Sequence, residues 1–215
     1  MHFTLASVVG LAGLAAQAAA HGLVEKPATR EPGTATAAAC GKTMAKFYQS
    51  DNTSYPEALL RSNPKGLTDG YDAKKCNLWL CKGFQFADNT AQVQKYKAGD
   101  VVDLEVFIRI PHKGYANVSV VDTTTNTVIG PPLIAWADNY AATNRPPADQ
   151  TKFSIKVPDL GAKCTTPGVC VIQWYWFGQG QTYESCIDFT TPAPAPVSHE
   201  HEHERRRAIR GQTRQ

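Results

Sequence analysis

The sequence predicts an all-β fold, an antiparallel sandwich carrying a long insertion near its N-terminus. Three observations lead there. Residues 101–110, VVDLEVFIRI, alternate apolar and polar side chains. Four further β-rich runs follow, each set off by turn-forming residues. Residues 25–75, by contrast, mix prolines, glycines and polar residues without strand periodicity.

The first strand is the clearest. Val102, Leu104, Val106, Ile108 and Ile110 fall on one face and Asp103, Glu105 and Arg109 on the other, the alternation of a half-buried strand. Tyr115–Val121, Phe153–Val157, Val169–Trp176 and Thr182–Phe189 follow, separated by TTTN, RPPAD and CTTPGVC. Several short strands at this spacing describe an immunoglobulin/fibronectin III-like antiparallel sandwich. Within it, Trp174 and Trp176 share a face that Tyr175 does not, and all three read mainly as core. The 25–75 segment is a decorated insertion with short helices near Thr43–Gln49 and Tyr55–Ser62, pinned by Cys40.

The ends have a different character. Residues 1–20 hold a short apolar stretch and finish in Ala18-Ala19-Ala20, the small-residue pattern of a secretion signal. That stretch is shorter than the ~20 apolar residues of a membrane span, and no other segment qualifies. A soluble, extracellular protein beginning at His21 is expected. From residue 192 a proline-alanine linker leads into HEHEHERRRAIRGQTRQ, which has nothing to bury and reads as disordered. The organisation is therefore signal 1–20, one domain 21–191 and tail 192–215.

Six cysteines in an oxidising compartment should pair. Short spacing favours Cys76–Cys81 and Cys164–Cys170 as local clips, leaving Cys40–Cys186 to join the two ends of the domain. Two glycosylation sequons begin at Asn52 and Asn117. The net charge is +3, of which the tail carries +2. A near-neutral domain is not built for nucleic acid; it suits an uncharged partner such as a polysaccharide.

The chemistry begins with histidine. Of six, His2 lies in the signal and His199, His201 and His203 in the tail, which leaves His21 and His112 for the folded domain. Signal cleavage would give His21 a free amine beside its imidazole, and the two together can clamp a metal. His112 follows the 101–110 strand in Ile110-Pro111-His112-Lys113-Gly114; alone, it reads as an ordinary loop residue. On the last strand Gln181 and Tyr183 share a face while Cys186 turns to the other. Taken singly, Tyr183 reads as a core aromatic and Gln181 as a surface polar residue. The tail histidines could hold copper loosely, but a solvated spacer is the better reading. No carboxylate pair has the setting of a glycoside hydrolase, whose two groups flank the bond at ~5–9.5 Å; Asp103 and Glu105 read as solvated strand residues.

Together these residues resemble a family, the copper-dependent lytic polysaccharide monooxygenases. The opening His21-Gly22-Leu23-Val24-Glu25-Lys26-Pro27-Ala28-Thr29-Arg30 resembles the HGxxxxPxxR start of the chitin-binding type 4 class. The likeness continues through His112-Lys113-Gly114-Tyr115-Ala116-Asn117-Val118-Ser119 and closes on Tyr183-Glu184-Ser185-Cys186-Ile187-Asp188. It implies one copper ion per domain, held by the amine and a ring nitrogen of His21 and a ring nitrogen of His112. Tyr183 would lie at the axial position, and Gln181 would match the glutamine that steadies bound oxygen. The implied activity is oxidative cleavage of an insoluble polysaccharide, chitin or cellulose, at C1 or C4 beside the glycosidic bond. It would use O2 or H2O2 and an external electron donor, on a monomer with neither nucleic-acid nor membrane partner. Two departures from the family are the absence of a third folded-domain histidine and Ile110 where some classes carry alanine. Tyr48, Tyr55, Trp79 and Tyr115 are candidates for a polysaccharide-facing surface, although each reads more readily as a packing residue. The rival functions are a non-catalytic copper-binding or trafficking protein and a carbohydrate-binding module without turnover.

Overall fold

A computed structural model describes residues 21–63 and 69–193. The expected signal 1–20 and residues 194–215, with His199, His201 and His203, lie outside the described residues. The elements in chain order are β1 (His21–Lys26), α1 (Thr34–Cys40), α2 (Lys42–Ser50), α3 (Pro56–Ser62), β2 (Gln94–Lys95), β3 (Val101–Ile110), β4 (Gly114–Asp122), β5 (Thr127–Val128), β6 (Ile134–Tyr140), α4 (Ala148–Thr151), β7 (Lys152–Lys156), β8 (Cys170–Gly178) and β9 (Gln181–Thr190). Short 3-10 turns occupy Cys81–Gly83, Phe86–Asp88 and Thr90–Gln92.

Two sheets face each other. The smaller has the order β1-β3-β7; the larger runs β2-β9-β8-β4-β5, with β6 also paired to β4. Only the β2–β9 pair is parallel among the described strands. Val24, Val102, Leu104, Val106 and Ile155 from the small sheet meet Val118, Val120, Ile172, Trp174, Trp176, Tyr183 and Ile187 from the large one. This is the immunoglobulin/fibronectin III-like sandwich, and it follows from alternation: each strand turns every second side chain inward. Tyr175 points the other way, against Tyr115, while Trp174 and Trp176 are fully buried.

The insertion packs as its own small cluster, in which Ala39, Cys40, Met44, Tyr48, Leu59, Cys76, Leu78 and Phe84 are buried together. The helices expected near Thr43–Gln49 and Tyr55–Ser62 are α2 and α3; α1, about two alanine-rich turns, carried no periodic signal. Its N-terminus is held from outside, because the Asp88 carboxylate accepts the main-chain N–H groups of Gly33, Ala35 and Thr36.

Two of the three expected disulfides are corrected. Cys164–Cys170 forms as expected. Cys76 does not pair with Cys81, nor Cys40 with Cys186: the bridges are Cys40–Cys76 and Cys81–Cys186. Proximity in sequence misled because Cys76 belongs to the helical cluster beside Cys40. Cys81 instead packs on the outer face of the large sheet with Val121, Val171 and Cys186. Gly83 makes room for this arrangement: a Cβ there would lie 2.8 Å from Cys76 Sγ and 3.2 Å from Cys40 Sγ. The insertion is thus closed on itself by one bridge and fastened to β9 by the other.

A buried ion pair joins the two ends of the domain. The Arg30 guanidinium donates through Nε and Nη2 to the two Asp188 oxygens, both at 2.7 Å, and Arg30 N–H reaches the Cys186 carbonyl at 2.9 Å. The last residue of the opening motif therefore docks on the last residue of the closing one.

Candidate metal centre

His21 opens β1, and its partner across the ladder is Ile110, two residues before His112. Gly22 lets the strand sit this close. A Cβ there would lie 3.1 Å from the Phe107 carbonyl and 3.3 Å from the Trp176 ring, tighter than ordinary contact. His112 follows β3 and precedes β4, and its ring is buried. The loop that carries it lies on the β8–β9 turn, where Gly114 pairs with Gly178 and Gly178 with Gln181. A Cβ on Gly114 would strike the Phe177 carbonyl at 1.9 Å, so this backbone contact is open only to glycine. The result gathers His21, His112, Gln181 and Tyr183 at one end of the sandwich.

Tyr183 is buried and stacks on Trp176, ring centroids 4.3 Å apart. The Tyr55 ring touches it at 5.2 Å and stands edge-on to His21 at 6.2 Å. Tyr183 Oη donates to Gln181 Oε1. Burial, followed by the nearby Tyr55 and Glu57, pushes the Tyr183 hydroxyl well above its ordinary range, so it is a neutral phenol at physiological pH. Glu57 fastens α3 to the same strand by accepting the Thr182 N–H at 3.1 Å and hydroxyl at 2.8 Å.

One residue of this end escaped the sequence reading. Asp51, just past α2, sets Oδ2 3.0 Å from His21 Nε2 and 3.1 Å from Arg109 Nη2. Its other oxygen accepts the Thr53 N–H and hydroxyl, and the Thr53 carbonyl accepts the Gly22 N–H at 3.1 Å. Burial raises the Asp51 pKa, but the Thr53 hydrogen bonds, His21 and Arg109 outweigh it and hold the carboxyl below its ordinary value. A carboxylate at Nε2 fixes the hydrogen of a neutral imidazole there and leaves the lone pair on Nδ1. Sequence offers no signal for this, since the contact joins a helix end to a strand start.

Beneath the Asp51–Ser54 segment lie two further buried charges. Lys82 is 2% exposed and Glu184 3%. Burial pulls the lysine down to about 8 against the attraction of Glu31, Glu184 and Asp51. Burial likewise lifts Glu184 to about 7, opposed by the Lys82 N–H and ammonium.

The other expected positions are dispersed. Tyr48 and Tyr55 are buried and do not belong to a polysaccharide-facing surface, whereas Trp79 and Tyr115 are exposed. Trp79 lines a cleft of about 560 Å³ with Thr123 to Asn126; these follow β4, at the end away from His112. Tyr115 lies near the His112 end with Tyr175 and Phe177. Asn52 is exposed beside Asp51, and Asn117 lies mid-strand in β4, paired to both β6 and β8.

The donors here fit a metal ion. Nδ1 of His112 is buried with no hydrogen-bond partner among the described residues, an orphan polar atom on a ring that would bind metal. Among the described residues no group of three His, Cys, Asp or Glu side chains could hold a metal.

Fold and site together define a class: a disulfide-bonded β-sandwich that presents two histidines at one end. Residues 21–189 match the family described as lytic polysaccharide mono-oxygenase, cellulose-degrading, and the chain belongs to that family. Solved structures resembling the chain include an AA10 lytic polysaccharide monooxygenase from Streptomyces lividans, 13% identical with a TM-score of 0.45, covering 79% of this chain and 99% of that one. A chitin binding domain from Burkholderia pseudomallei is 12% identical with a TM-score of 0.41, covering 80% and 100%. A CBM33 protein of Bacillus amyloliquefaciens in complex with Cu(I) is 13% identical with a TM-score of 0.39, again covering 80% and 100%. The family assignment rests on the match over residues 21–189 and not on these likenesses. No curated protein matches the chain.

Proposed function

We propose that the mature protein, beginning at His21 and secreted, cleaves an insoluble polysaccharide oxidatively with one copper ion per domain, chitin and cellulose being the leading substrates. The observation that carries this is the β1–β3 ladder, which places His21 opposite Ile110 and so beside the loop of His112. In this reading the amine and ring of His21 and the ring of His112 would hold the ion, with Tyr183 and Gln181 beside it.

Bound copper would supply one-electron chemistry with O2 or H2O2 from an external donor, sufficient to hydroxylate a C–H bond at C1 or C4 next to the glycosidic bond. The chain's own residues prepare that chemistry. Asp51 holds the His21 ring by Nε2, which sets the nitrogen that faces the metal. The neutral Tyr183 phenol keeps its proton and donates it in a hydrogen bond to Gln181 Oε1, so no phenolate forms at that position. Trp176 stacked on Tyr183, with Tyr55 tilted against it, forms an aromatic floor beneath the site. The glycines at 114 and 178 bring the His112 loop in without a side chain between.

The test uses protein cut before His21, copper-loaded, with ascorbate, incubated separately with chitin, cellulose, xylan and pectin. Soluble products are read by mass spectrometry. Oxidised oligosaccharides that need both copper and reductant are the expected result. Tight copper binding without such products on any polysaccharide would replace this reading with copper capture, and retention on polysaccharide regardless of copper would replace it with a binding module.

A further inference from the structure

Lys82 is a lysine in an expensive place. Fully buried lysines are rare, and an ammonium taken from water must be paired or hydrogen-bonded. Its backbone is also unfavourable, with a φ of 56° in a side-chain-bearing residue. The adjoining Cys81 makes the bridge to Cys186, so the disulfide does not require a lysine next to it. The position is occupied for what the side chain reaches.

The side chain runs inward past the rings of Tyr48 and Phe84, with Nζ 5.6 and 6.0 Å from their centroids. It ends 2.6 Å from the main-chain carbonyl of Asn52. At the other end, the Lys82 N–H donates to Glu184 Oε2 at 3.0 Å, which fixes the root of the side chain to β9. Asn52 is held from a second side, since its Nδ2 donates to Glu31 Oε1 at 3.3 Å.

Asn52 stands between the two residues that grip the start of β1. Asp51 before it holds the His21 ring, and Thr53 after it accepts the Gly22 N–H. We propose that Lys82 is a positioning residue for the metal centre: its buried ammonium, bonded to the Asn52 carbonyl, sets the loop from which Asp51 orients His21. This rests on His21 being a metal ligand. The chain of contacts runs from β9 through Lys82, Asn52 and Asp51 to His21, so the strand that carries Tyr183 also sets the orientation of the histidine.

Two measurements on mature protein starting at His21 test this. The first is metal-free: 15N NMR of the imidazoles, following the His21 Nε2–H held by Asp51. In the wild type that proton is protected and one tautomer dominates. Lys82→Met keeps nearly the same side-chain volume but leaves Glu184 without its buried ammonium, and it is expected to expose the proton and mix the tautomers. The second measurement is copper affinity with the Cu(II) EPR spectrum. Lys82→Met is expected to weaken binding about tenfold, the scale of losing an outer partner of a ligand, and to shift the spectrum. In an Asp51→Asn background the same change should add less than about twofold, because residues acting through one another are not additive. Should the methionine variant fail to fold, Lys82→Gln, which keeps a shorter donor, is expected to move the same readings less far.

An unchanged His21 resonance in Lys82→Met overturns the proposal, as does a copper effect that adds in full to that of Asp51→Asn. A His21 resonance lost in Lys82→Met, beside a His112→Ala variant that still binds copper tightly, supports the positioning role and removes the two-histidine metal reading instead.

Discussion

A Cβ atom on Gly178 would lie 2.5 Å from the carbonyl oxygen of His112. The contact is backbone on backbone, so no flexible side chain can give way. Gly178→Ala must push the His112 loop outward from the β8–β9 turn. The expected result is a stability loss of about 1–3 kcal/mol together with copper binding weakened at least about tenfold. Thermal melts and a copper titration on the same sample check both.

Asp51→Asn keeps the shape and removes the charge that His21 and Arg109 share. Copper affinity should fall on the order of tenfold, read by competition titration. The acid limb should change as well. Because the folded Asp51 pKa lies below its ordinary value, its contribution is full above that ordinary value and is lost as pH falls through the folded pKa. The variant's melting temperature should therefore decline less than that of the wild type below about pH 4.

Glu184 behaves in the opposite sense. Its folded pKa is raised from 4.5 to about 7, so between those values the folded state holds a proton that the unfolded state has released. Stability therefore drops as pH rises across that window. Lys82, pulled down only to about 8, keeps its charge throughout and adds no slope there. Glu184→Gln should remove a decline on the order of 2 kcal/mol between pH 4.5 and 7, seen as a gap in melting temperature between variant and wild type that changes with pH.

Arg30 and Asp188 are both nearly inaccessible and bonded twice. Removing one partner strands the other charge, so Asp188→Ala should cost about 3–5 kcal/mol. Replacing both together with apolar residues should cost much less. Denaturant melts of the single and double variants separate the two cases.

A single extra residue before His21 should abolish tight copper binding while leaving the melting temperature of the metal-free protein almost unchanged. In the proposed centre, the amine is the ligand that an extension would block. Isothermal titration of the mature and extended proteins decides it.

The parts of this molecule legible in its sequence are those with a period. The alternation of Val101–Ile110 located β3 and its buried face, and the sharing of a face by Gln181 and Tyr183 located their contact. The parts that stayed hidden depend on where distant segments meet. Cys76 and Cys81 are neighbours in sequence but belong to different clusters, so spacing paired them wrongly. Asp51 and Lys82 carry no motif; each matters through a contact across the insertion. Tyr55 looked like a candidate for a surface platform and is instead part of the floor under His21.

The bridge from Cys81 to Cys186 spans 105 residues, and this sets an order of events during synthesis. A ribosome delivers Cys40, Cys76 and Cys81 long before the final strand, and Cys40 and Cys76 can close at once. Cys81 must then travel as a lone thiol while most of the sandwich is made, past Cys164 and Cys170, neither of which is its partner. An oxidant acting too early would trap it on the wrong one. The insertion that carries Asp51 therefore depends for its covalent tie to the sandwich on a residue translated near the close of the domain, and yield should respond to disulfide-isomerase supply more than to oxidant supply.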